Sequence, residues 1–62
     1  MSPQNKLRAI KRLRMSDGLS FIDAHDISLW VGMAGPENDV SKLNDKIIER
    51  INDIYLRYYE DL

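Results

Sequence analysis

The sequence predicts a small all-α fold, a three-helix domain made of a helix-turn-helix pair and a long C-terminal helix. Three observations predict it. Apolar residues recur at helical spacing in three segments: Leu7, Ile10 and Leu13; Phe21, Ala24, Ile27 and Val31; and Leu43, Ile47, Ile51, Ile54 and Tyr58. Turn formers separate the segments, at Ser16-Asp17-Gly18 and again between Gly32 and Asn38, where two glycines and a proline fall. Finally, the 62 residues hold no cysteine and one histidine, which leaves no disulfide and no structural zinc site to staple a thin core. Helix packing or a partner chain must do that instead. One domain, residues 1–62, is all the length allows.

The first helix opens on Ser2-Pro3, an N-cap serine followed by proline at the first helical position. Leu7, Ile10 and Leu13 share a stripe, Arg8, Lys11 and Arg12 project opposite it, and Arg14 borders it. Met15 reads as peripheral packing. Gly18 suits the left-handed position that ends a helix. Ser20 with Asp23 three residues on is an acidic form of the capping box, and Leu19 before it can staple onto Ala24.

The second helix shows Phe21, Ala24, Ile27 and Val31 on one face and Ile22, Leu29 and Trp30 on others, so it must be covered from more than one direction. A strand from Ile27 to Gly32 is the alternative for its second half. His25, between Ala24 and Asp26, reads as a flank residue. Trp30 fits a core anchor or a partner hot spot.

The third helix is expected from Val40 or Ser41 onward, with Ile48, Tyr55 and Leu62 widening its stripe. At about 1.5 Å per residue it would span about 30 Å. Its overhang, with Tyr55, Tyr58 and Tyr59, would then lack an intramolecular partner and pair with a second chain. An α+β variant, with residues 54–59 as a short strand, is the alternative. The chain has neither an internal repeat nor a low-complexity segment.

Net charge is −1, but unevenly spread: residues 1–14 hold five bases (Lys6, Arg8, Lys11, Arg12, Arg14) and no acid, and the remainder four bases against ten acids. Such polarity marks an electrostatic docking face. The longest apolar run, Ile27 to Ala34, is interrupted by Ser28 and Gly32 and falls short of the ~18 residues of a membrane span. The N-terminus lacks an apolar signal core. A cytoplasmic protein is expected. No phosphate-binding glycine loop, paired metal ligands or nucleophile arrangement is present, so no enzyme activity, cofactor or metal is expected. Asp23 and Asp26 read as complements to the dipole of their helix.

The segment NKLRAIKRLR, three residues, then GLSFIDAHD resembles the C-terminal domain of the bacterial ribosomal stalk protein over residues 5 to about 52. That family has a lysine-rich first helix of this periodicity, the same gap to a Gly-Leu turn, an alanine where Ala24 stands, and a third helix starting near Val40-Ser41-Lys42. The resemblance implies docking onto translation GTPases, with Lys6, Leu7, Ile10, Lys11 and Arg14 at the matching positions. His25 stands where the family has a base. The same residues IKRLR and GLS also resemble the start of a phage-repressor helix-turn-helix. Its second helix should then carry donors for base edges and phosphates, whereas this one carries Asp23, Asp26 and no base.

The expected function is that of a small non-enzymatic protein-binding modulator or adaptor, of the kind phages and mobile elements encode as accessory proteins. Lys6, Leu7, Arg8, Ile10, Lys11, Arg12 and Arg14 are expected to meet a protein partner with an acidic surface. Trp30, Ile51, Ile54, Tyr55 and Tyr58 are expected at an oligomer interface. The alternative is a DNA-binding helix-turn-helix regulator, with nucleic acid disfavoured by the acidic second helix.

Overall fold

The computed structural model describes residues 2–62. Three helices account for most of them: α1 (Pro3–Met15), α2 (Phe21–Ala34) and α3 (Asp45–Arg57), with single 3-10 turns at Val40–Lys42 and Tyr59–Asp61. The fold is all-α. Among the described residues there is no strand, so both strand alternatives, at 27–32 and 54–59, are excluded.

Both expected helix starts are present. Asn5 N–H donates to Ser2 Oγ at 3.2 Å, with Pro3 in the first turn, and Asp23 N–H donates to Ser20 Oγ at 3.3 Å. The end of α1 is built differently from expectation. Asp17 N–H donates to Arg14 O at 3.1 Å and Gly18 N–H to Leu13 O at 2.9 Å, the paired bonds of a Schellman motif. The left-handed residue in it is Asp17, at φ 57, and not Gly18. Gly18 instead gives the Leu13 side chain its place: a Cβ there would lie 2.8 Å from Leu13 Cγ, so Leu13 would have to shift.

The third helix is shorter than its apolar pattern suggests. Asp39 accepts from Ser41 N–H at 3.1 Å and from Ser41 Oγ at 2.6 Å, which caps one 3-10 turn only. Leu43 then becomes extended, at φ −106 and ψ 149, and its side chain enters the core. Asn44 caps a new helix by accepting from Ile47 N–H at 2.9 Å. Side chains of this type satisfy backbone donors outside a helix as well as at its start, so they divide what periodicity alone would join. α3 runs for 13 residues, the length of α1, or about 20 Å. The tyrosine-rich overhang does not exist.

The core is Leu7 and Ile10 of α1, Ile27, Trp30 and Ala34 of α2, Leu43 from the connection, and Ile51 and Ile54 of α3. α1 packs most extensively on α3. Five of the expected site residues are therefore reassigned. Leu7 and Ile10 are fully buried and present no side chain to a partner. Trp30, Ile51 and Ile54 close the same core and cannot form an oligomer interface. Only Tyr55 and Tyr58 of that group keep partial exposure.

Candidate protein-binding surface

Burying Leu7 and Ile10 fixes the roll of α1, because residues three and four apart share a face. Arg8 and Arg12 are thereby turned into solvent, and Lys11 lies half-buried at the edge. Two cations of the same helix are tethered by neutral partners. Lys6 Nζ donates to Asn52 Oδ1 at 2.5 Å and lies 5.6 Å from the Tyr55 ring centroid. Arg14 Nε donates to Ser28 Oγ at 2.6 Å, and that hydroxyl donates to Ala24 O at 2.7 Å. The ion pairs among the described residues are Arg50 with Asp26 and Arg57 with Asp23, both between α3 and α2. Among the described residues, none of the five bases of α1 is paired with a carboxylate.

Each helix turns a different chemistry outward. α1 shows its cations. α3 shows charges of both signs, Asp45, Glu49 and Asp53 beside Lys46, Arg50 and Arg57, all exposed. α2 shows Phe21, Ile22, Leu29 and Met33, large apolar side chains left in water. Where α1 meets α2, an open groove of about 450 Å³ is lined by Arg14, Met15, Asp17, Phe21, Ala24, His25 and Ser28. The cationic face thus continues into an apolar one, with Met15 and Phe21 at the junction.

Behind this surface a buried polar node holds α2 to the end of α3. Asp23 is buried, and its carboxylate accepts from Tyr58 Oη at 2.7 Å and from Arg57 Nη1 at 2.8 and 3.0 Å. Ser20 N–H donates to the same phenol oxygen at 3.0 Å. Burial pushes the Asp23 carboxyl up, but the bonds from Tyr58, Arg57 and Ser20 and the Arg57 charge together outweigh it, and the group titrates below its ordinary range. The node is structural: the Asp23 carboxylate and the Tyr58 hydroxyl are satisfied within the chain, while the Arg57 side chain keeps about half its surface in solvent. Among the described residues no group of three or more potential ligands is placed to hold a metal ion, and no helix is long and apolar enough to cross a membrane.

Of the expected docking residues, Arg8 and Arg12 lie on the outer side of α1 with Lys11 at its edge, while Lys6 is drawn toward α3 and Arg14 toward α2. Sequence reasoning expected α2 to be apolar on several sides but grouped Phe21 with Ile27 on one face, whereas Ile27 is fully buried and Phe21 is 90% exposed. The signal was present: Asp23, Ile27, Trp30 and Ala34 follow the i, i+4, i+7, i+11 rule and take up the inner face. Removing them leaves Phe21, Ile22, Leu29 and Met33 facing out. Comparison of the chain with models of protein families, with curated proteins and with solved structures finds no match.

Proposed function

We propose that this chain is a small non-enzymatic adaptor or modulator that docks the cationic face of α1 onto an acidic surface of a partner protein. The observation that carries this reading is the absence, among the described residues, of any carboxylate paired with the five bases of α1. A helix whose charge is left open attracts a partner of opposite sign over a Debye length, about 8 Å at physiological salt. Met15 and Phe21, beside Arg14 in the groove, add the apolar contact that the centre of a protein interface uses. Duplex DNA fits the surface less well. The second helix of the pair would enter a groove, and its free side offers no base for phosphate or base edges.

The test compares the wild-type chain with a variant carrying Arg8→Glu, Lys11→Glu and Arg12→Glu, both immobilised and exposed to nuclease-treated lysate. These side chains leave the core untouched, so both proteins should show the same helical circular dichroism. The wild type is expected to retain proteins that the variant does not, and to release them as salt rises. Equal capture by both would reduce the cationic side to a solvated face, and a sequence-specific shift of duplex DNA would favour the regulator.

A further inference from the structure

We infer that the outer stripe of α2 is the contact between two copies of this chain, each α2 packing on its mate about a two-fold axis. This pairing uses the apolar side of α2, whereas docking uses the cations of α1, and Phe21 and His25 lie where the two surfaces meet. The stripe is Phe21, Ile22, His25, Leu29, Gly32 and Met33, and its large apolar members are 90%, 71%, 56% and 44% exposed for Phe21, Ile22, Leu29 and Met33. That leaves roughly 500 Å² of apolar side chain in water per copy, within the about 300–600 Å² of a typical monomer's largest patch but carried by a chain whose whole surface is 4261 Å². Pairing two such stripes covers on the order of 1,000 Å², the lower bound for a specific protein interface.

Spacing and shape select a helix as the occupant. Ile22, Leu29 and Met33 step by seven and four residues, the repeat of a seam that receives another helix. Gly32 falls within it, and a Cβ built there meets nothing within 4 Å, so the backbone lies open to close approach.

Charge selects a second copy over an ionic partner. Asp26, at the margin of the stripe, is already paired with Arg50 at 3.0 Å, and His25 is the remaining titratable group on it. Self-pairing therefore brings no unpartnered carboxylate or ammonium out of water. A net charge of −1 opposes the approach of a second copy only weakly. A two-fold contact also lets one patch serve both partners, which a stripe of uniform chemistry permits.

Sedimentation equilibrium of the full chain, from micromolar to near-millimolar concentration, tests this directly. The wild type is expected to approach a dimer. Leu29→Glu and Ile22→Lys should each weaken pairing at least about tenfold with helical content unchanged. Gly32→Gln separates pairing from folding. Its side chain has free space, and any residue but proline makes a better helix interior than glycine, so thermal stability at low concentration should rise while dimerisation weakens. A wild type that stays monomeric throughout overturns the inference, as does a dimer that Leu29→Glu leaves intact. A monomer whose α2 variants lose a lysate protein would assign the stripe to that protein instead, and would equally overturn it.

Discussion

Tyr58 joins two helices through one oxygen, which accepts from Ser20 N–H and donates to the buried Asp23 carboxylate. Tyr58→Phe keeps the ring and its packing but removes both bonds. Chemical denaturation should show a loss of about 1.5–3 kcal/mol, the range for a hydrogen bond to a charged group. The same node sets a pH response. The folded Asp23 titrates below its ordinary value of 3.8, so between the folded and unfolded values the unfolded chain binds more protons and stability rises with pH. Its contribution is complete above the unfolded value and is lost as pH falls through the folded one. Asp23→Asn should therefore flatten the acid limb of a melting-temperature profile below about pH 4, and an unchanged limb would place the response elsewhere. Asp39, lowered by the two bonds from Ser41, contributes in the same direction and remains in the variant.

At the scale of the element, what was legible in the sequence was what is encoded within about four residues. Ser2-Pro3 and Ser20 with Asp23 act on backbone donors two or three positions away, and both start helices as read. The start of α3 was misread although its caps at Asp39 and Asn44 are equally local. The spacing of Leu43 and Ile47 reads as one continuous helix, while Leu43 is extended and fills the core shared with α1 and α2. Asp17 holds the left-handed position expected of Gly18, because the paired bonds from Asp17 to Arg14 O and from Gly18 to Leu13 O close the helix one residue earlier. The site was half legible for a related reason. Opposition to an apolar stripe found Arg8 and Arg12, but it could not tell that Leu7 and Ile10 would be consumed by the core. The connection after α2 offers a clear test. Gly35 sits at φ 80 and ψ −179, a region essentially closed to side chains, although its Cβ would meet nothing. Gly35→Ala should cost about 1–3 kcal/mol through backbone strain alone, and a neutral outcome would mean that the connection can relax.

At the scale of the molecule, the core explains why surface and stability belong together. Five large side chains are fully buried, Leu7, Ile10, Ile27, Ile51 and Ile54, and a core of that size in so short a chain supplies about 3–5 kcal/mol. Against so small a margin, leaving Phe21, Ile22, Leu29 and Met33 in water is a large forfeit. Covering them in a dimer couples folding to association. By mass action the folded state then gains from every increase in concentration, since the unfolded chain has no stripe to pair. The melting temperature of the wild type should accordingly climb as protein concentration is raised, and that of Leu29→Glu should stay level. Arg8→Glu with Arg12→Glu should climb like the wild type, because those side chains belong to the other surface. Parallel behaviour of all three proteins would mean that the α2 stripe contributes nothing to folding, and the stability of this small core would then be that of the single chain.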